Sequence, residues 1–481
     1  MASANVPGAA SAPKLTRGIT LRSATALNMI DMIGVGPFIT IPLVIQAMGG
    51  PQALVGWMLG AVFALCDGMI WAELGSALPG EGGSYHYLSH IFGARRWGRL
   101  WSFLYVWQVL FSAPLLIASG CIGLALYATF LWPGLDHPLA ALGPHLVFSR
   151  ATLVAIGACL LALALAYRQV RWIGRLAQWL WWGVLATIGW ILVAGLTHFH
   201  AARLLSAPPH TFSPTAGFFA GLASAMMIAF YDFGGYETSN FLAGEVVRPE
   251  RTLPRAIVIS IVVVGVLYLA MNVSVLGVVP WRTLLAGAPG GASSYVISDF
   301  MRRIYGAGFA AKAVTLLILW TAFASVFSLL LGYSRVLYAA AEDGNFFRAF
   351  ADLHPQQKFP RVALLALGVV AAAFCLFRLD EVIAALVVIK LVLQYVLQAV
   401  ALIVWRARGG GGGGEERHFR MPWYPLPVLG ALGGYMFLLF WPAGAMRMLG
   451  YGGVVVAVGV GLFLLRARRQ RSWPLGGEVE G

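Results

Sequence analysis

Apolar residues along this chain come in long blocks, too uniform for the alternation of a strand or the one-sided stripe of a surface helix. Val262 to Val279, Ala363 to Phe377 and Val454 to Leu465 contain no charged residue. A run of about 20 apolar residues crosses a bilayer as an α-helix. Such a helix satisfies every backbone group internally, as hydrocarbon requires. The blocks predict twelve spans, at 24–46, 52–77, 100–130, 151–167, 173–196, 216–242, 255–279, 310–340, 361–377, 382–405, 424–441 and 448–465. Spans 3 and 8 are long enough to tilt or to extend past the bilayer, and span 9 is short.

Composition agrees. Hydrophobic residues make up 59% of the chain and charged ones 11%, against about 25% charged in a soluble domain. The fold class is therefore an all-α polytopic membrane protein with the lipid bilayer as its solvent. A net charge of +14 could suggest a nucleic-acid partner, but the basic residues are scattered through short loops. Twenty-four Lys and Arg fall on one set of loops, eight on the other, and Lys390 alone sits inside a span. The bias alternates loop by loop and places both termini in the cytoplasm, in a multi-pass plasma (cell inner) membrane protein. Met1 to Pro13 has no apolar signal-peptide core. Cys66, Cys121, Cys159 and Cys375 lie in apolar stretches without metal-ligand spacing, so neither a disulfide framework nor a metal is expected. No His/Cys/Asp cluster or nucleophile arrangement points to an enzyme, and no cofactor is implied.

Two spans contain residues that do not belong in a plain helix. Span 1 reads Asp31-Met-Ile33-Gly34-Val35-Gly36-Pro37-Phe38, and span 6 reads Phe230-Tyr231-Asp232-Phe233-Gly234-Gly235-Tyr236-Glu237. Glycines and a proline in mid-span weaken a helix. One such span is explained by close helix packing. Two of them, five spans apart, correspond in a five-plus-five inverted repeat and mark a transporter's substrate site. Backbone freed at such a break offers N–H groups to a carboxylate and carbonyls to an ammonium or a cation. An α-amino acid carries both groups. A polyamine wants several spaced carboxylates instead, and 97–135 in span 3 has no acidic residue before Leu135.

The segment from Trp71-Ala-Glu73 to Gly82-Gly83-Ser-Tyr85, together with Phe241-Leu-Ala-Gly-Glu245 through Pro254-Arg255 and Ser334-Arg335 through Asp343-Gly344, resembles signatures of the amino acid–polyamine–organocation transporter superfamily. The Gly34-Val35-Gly36 break sits where that family has Gly-small-Gly. Gly36-Pro37-Phe38, Asp67 and Leu242-Ala-Gly-Glu245 are similar to the branch near plant and protist polyamine-uptake transporters. The resemblance implies a LeuT-like fold and no covalent chemistry. Spans 1, 2, 6 and 7 would rock against the rest in alternating access. It divides the chain into a cytoplasmic tail at 1–22, a ten-helix core at 23–405, a Gly-rich cytoplasmic loop at 406–423, two peripheral helices at 424–465 and a cytoplasmic tail at 466–481. The expected function is a secondary active permease for amino acids, neutral or cationic, by proton-coupled symport or exchange. Polyamine uptake and a non-transporting sensor are the alternatives. The lysine that some proton-coupled members carry in span 5 is missing here, so both H+ and Na+ remain open as partners.

The substrate-binding set is Ile33, Gly34, Val35, Gly36, Phe230, Tyr231, Asp232, Phe233, Gly234, Gly235 and Glu237. Charges inside spans cost about 2.5–3.5 kcal/mol at mid-bilayer, so Asp31, Asp67, Asp232, Glu237 and Lys390 should face a cavity or a partner. Lys390 shares a helical side with Gln394 and Gln398, which points it inward, and Asp31 or Asp232 is its expected partner. Ser325 and Ser328 could supply hydroxyls to a cation site. Glu73, Glu245, Arg251 and Arg255 are expected to form a salt-bridge network that latches the cytoplasmic face.

Overall fold

The computed structural model describes residues 17–94, 96–141, 146–167, 170–206, 212–285, 295–306, 308–355, 359–410, 419–442, 445–470 and 473–474. Lys14, Arg95, Arg168, Lys358, Arg417 and Arg471 of the loop charges lie outside the described residues, as does the glycine run from 411 to 414.

Helix dominates the described residues. Eight helices are long and apolar enough to cross a membrane alone, and a bent pair in span 1 makes a ninth. The three shorter apolar helices, Arg150–Ala166, Arg361–Phe374 and Leu426–Phe440, stand where spans 4, 9 and 11 are expected. Three features were not foreseen. A helix at Ser84–Phe92 fills the loop after span 2, another at Val296–Tyr305 precedes span 8, and a small antiparallel hairpin pairs Pro138–Ala141 with Val147–Ser149.

Packing sorts the long helices into two groups. Span 7 (Pro249–Val278) lies along span 2 (Ala53–Ala77), which also holds span 6 (Ala216–Phe233). Span 8 (Phe309–Glu342) lies along span 3 (Trp97–Leu131), beside spans 4 and 9. Small residues set the first group's spacing. A Cβ placed on Gly56 or Gly60 of span 2 would come within 2.7 Å of the methyl group of Ala225 or Ala229 in span 6. Small side chains four residues apart on both partners let membrane helices approach this closely.

Span 1 is broken twice. Its first helix, Leu21–Met32, begins at a Thr20 cap and ends at Ile33. Short helices follow at Gly36–Ile39 and Ile41–Met48, each with a proline in its first turn, where the missing N–H costs no bond. The chain turns by 58° at Thr40. In span 6 the helix stops at Phe233, Gly235 takes φ +125°, a conformation open to glycine, and a single turn resumes at Thr238–Phe241. The residues before span 1 pair with the loop after span 6. The Gly18 and Ile19 N–H groups donate to the Glu245 carbonyl at 2.9 and 3.0 Å, and the Val247 N–H donates to the Ile19 carbonyl at 2.9 Å.

Candidate functional site

The two breaks touch. A Cβ on Gly235 would come within 2.8 Å of the Asp31 backbone carbon and the Met32 nitrogen. A Cβ on Gly36 would run into Oδ1 of Asp232, and one on Gly34 would come within 2.8 Å of Ser325 Oγ. The glycines are therefore required by the approach of one break to the other and to span 8.

Polar side chains stitch the junction. Tyr268 of span 7 places its hydroxyl 2.5 Å from the Met32 carbonyl and 3.0 Å from the Asp232 carbonyl, so one donor serves a carbonyl at the end of the helix before each break. Thr40 donates to Asp232 Oδ2 at 2.5 Å, and Thr238 donates to Asp31 Oδ2 at 2.6 Å. The Ser239 N–H donates to Asn28 Oδ1 at 2.9 Å. Asp232 is buried and its Oδ1 has no hydrogen-bond partner. Such an atom is costly unless a hydrogen-bond donor completes it.

Lys390 meets Glu237, not Asp31 or Asp232. Its Nζ lies 2.8 Å from Glu237 Oε1, and both residues are buried. The glycine pair turns the chain so that Glu237 faces span 10, and Glu237 Oε2 also accepts the Gly235 N–H at 2.9 Å. Lys390 ends the helix Leu379–Lys390, and one π-helical turn, Leu391–Tyr395, leads into Val396–Ala407. Turns of that kind are frequent at functional sites. Gln394 accepts from Gln108 of span 3 at 3.3 Å, and Gln398 accepts from Ser84, so the polar side of span 10 faces protein. Asp67 of span 2 accepts the hydroxyls of Tyr236 and Tyr435.

The aromatics of span 6 divide by direction. Phe230 packs between Phe63 and Tyr395, ring centroids 4.5 and 5.1 Å away, while Phe233 lies 5.3 Å from Tyr268. Tyr231 donates to Ser119 of span 3 at 2.9 Å. Ile33 and Val35 are buried, and Val35 presses on Gly123 of span 3. A cavity of about 20 Å³ adjoins the second break, lined by Leu116, Phe230, Tyr231, Gly234, Leu386, Val387, Lys390 and Tyr395. That is room for one water. A larger cavity of about 220 Å³ lies on the face that carries the start of span 1, and Ile19, Ile30, Thr238, Ser328, Arg335 and Phe359 are among its lining.

The expected latch has other partners. Glu73 is held by Arg406 at 2.7 and 2.6 Å and by the Met421 N–H at 2.9 Å, and Glu245 pairs with Arg335 at 3.1 Å. Arg255 is exposed. Glu73 thus ties span 2 to the end of span 10, a contact between groups that sequence neighbourhood does not reveal. Sequence reading also missed Thr40, Tyr268, Thr238 and Asn28. The available signal was a lone hydroxyl or amide inside an otherwise apolar block.

A family model described as amino acid permease matches residues 19–464. The chain is 28% identical over 405 residues to the cationic amino acid transporter 4 of Mus musculus, covering 82% of this chain and 60% of that one. It is 28% identical over 369 residues to the Asc-type amino acid transporter 1 of Homo sapiens, covering 75% and 66%. It is 24% identical over 469 residues to the branched-chain amino acid permease BcaP of Lactococcus lactis subsp. cremoris (strain MG1363), covering 94% and 95%. The chain spans 60% of the length of the cationic transporters it matches.

Proposed function

The chain belongs to the amino acid permease family of the amino acid–polyamine–organocation superfamily, and from that premise we propose that it carries amino acids across the plasma membrane as a secondary active transporter. One observation carries the reading. Two helix breaks meet at Gly36, Asp232 and Gly235, with one oxygen each of the buried Asp31 and Asp232 carboxylates left without a partner. A substrate ammonium completes Asp232 Oδ1, and backbone freed at the first break receives the substrate carboxylate. The 220 Å³ cavity is the release path, open on the side that the loop charges make cytoplasmic. The relatives range from a cationic amino acid transporter to a branched-chain amino acid permease, which supports the amino acid class.

The coupling ion in this reading is a proton. Asp31 reaches the cavity through Thr238, which lines it and donates to Asp31 Oδ2 at 2.6 Å. A carboxylate there can take a proton from one side and release it to the other as the site turns. Counterflow in proteoliposomes tests the reading. Preloaded unlabelled amino acid should drive uptake of labelled amino acid, and an inward proton gradient should raise accumulation in the wild type but not in Asp31→Asn. Competition by spermidine and by no amino acid would overturn it.

A further inference from the structure

We infer that the cavity beside the last turns of span 12 binds the headgroup phosphate of an anionic phospholipid, in the leaflet that the loop charges make cytoplasmic. The inference adds a lipid partner to the permease reading and does not involve the substrate path.

The helix Ala445–Gln470 carries Leu462, Leu465, Arg466 and Arg469 at helical spacing, so one stripe turns from apolar to cationic toward its end. Phe346, Phe347 and Arg348, just after span 8, close the other side, and the two sides bound a cavity of about 320 Å³. That volume is within the usual range of small-molecule sites. Span 12 is the least buried of the long spans, and Leu465 is 61% exposed, so the apolar half of the cavity opens to lipid. Trp97 and Trp101 stack 6.2 Å apart at the start of span 3, and Arg99 between them donates to Gln470 of the cavity wall at 2.7 Å. Tryptophans gather where hydrocarbon gives way to headgroups, which sets the cavity at the level of the lipid phosphates.

The charge there is one-sided. Arg466 Nη2 donates to the Gly344 carbonyl at 2.5 Å, its guanidinium lies 6.0 Å from the Phe347 ring centroid, and its Nη1 has no acceptor. The charges of Arg99 and Arg348 both oppose that of Arg466. Asp343, next to Gly344, accepts from the Tyr85 hydroxyl at 2.9 Å instead. Among the described residues, no carboxylate pairs with Arg348, Arg466 or Arg469. Like charges held over a partly apolar cavity repel more strongly than in water. A phosphate between them relieves the repulsion, and guanidinium groups take phosphate by paired bonds. Free phosphate would answer the arginines alone. A phospholipid also lays its acyl chains along Leu462 and Leu465, and the negative inner leaflet supplies it at the surface. Glu478 and Glu480 are the rival anions within the chain.

The test counts lipids bound to the full chain by native mass spectrometry, with dioleoylphosphatidylglycerol and dioleoylphosphatidylcholine as probes. Wild-type protein should hold one phosphatidylglycerol about tenfold or more tighter than phosphatidylcholine. Arg348→Gln with Arg469→Gln, both exposed, should weaken that lipid about thirtyfold, at roughly fivefold per charge near the surface. Arg302→Gln with Arg303→Gln removes the same charge at the opposite end of span 8 and should leave the lipid bound. Inorganic phosphate should not displace it, and Glu478→Gln with Glu480→Gln should not alter its affinity. Equal affinity for the two lipids, an unweakened lipid in the Arg348 and Arg469 variant, or the same loss in the Arg302 and Arg303 variant overturns the inference. So does displacement by inorganic phosphate, which makes the cavity a free-anion site. Lipid binding that appears only when Glu478 and Glu480 are neutralised overturns it too, because the chain's own end is then the occupant. Each of these results leaves amino acid transport standing.

Discussion

At the scale of single residues, the junction of the breaks depends on atoms that are absent. Gly36→Leu and Gly235→Leu should abolish uptake, because the first fills the place of Asp232 Oδ1 and the second strikes the backbone at Asp31 and forces φ +125° on a residue with a Cβ. Wild-type uptake in either, at normal expression, contradicts the site. Tyr268→Phe removes one hydroxyl from two buried carbonyls. The loss is about 1.4 kcal/mol, so substrate KM should rise about tenfold with the expressed amount unchanged. Outside the spans, burial and the nearby Glu245 charge push the Glu81 carboxyl above its ordinary range. The unfolded chain releases that proton at lower pH than the folded one, so stability falls as pH rises from the ordinary carboxylate range through the raised value. Glu81→Gln removes this cost, and its thermal midpoint should exceed that of the wild type at pH 7 and approach it near pH 4. The glycines of both breaks were legible in the sequence because they interrupt an apolar run. The partner of Lys390 was not, because a turn at two glycines decides which way Glu237 faces, and composition carries no record of direction.

At the scale of elements, what sequence reveals is the existence of each span and little of its neighbours. The hydrophobic blocks located the helices within a few residues, because lipid selects for them strongly. The π-helical turn after Lys390 left no mark, since it is a shift of backbone hydrogen bonding between ordinary residues, whereas the bend at Thr40 is followed by Pro42. Spans 2 and 6 illustrate the difference. Gly56 and Gly60 are common residues in any membrane helix, and only the structure places them on Ala225 and Ala229. Gly60→Ala should therefore destabilise the purified protein by about 1–3 kcal/mol through overpacking, and Ala229→Gly in the same chain should restore most of the loss. Thermal unfolding followed by size-exclusion chromatography measures both. No rescue would mean that the two helices are not spaced by this contact.

At the scale of the whole molecule, the loop charges predict that Asn345 and the N-terminal segment share the cytoplasmic side. A cysteine at position 345 should resist a membrane-impermeant reagent in intact cells and react in inverted vesicles. The pairing of Ile19 with the loop after span 6 has a consequence for motion. The first half of span 1 and the last turn of span 6 are joined by the Ile19 and Glu245 backbone bonds, by Asn28 to Ser239 and by Asp31 to Thr238. They are one door on one hinge rather than two shutters. A door fastened along its whole edge has no stable position ajar, so opening toward the cytoplasm should be all-or-none. Spin labels at Ser23 and Val247 should keep a single distance throughout the cycle, while labels at Ser23 and Arg361 should jump between two distances with nothing populated in between.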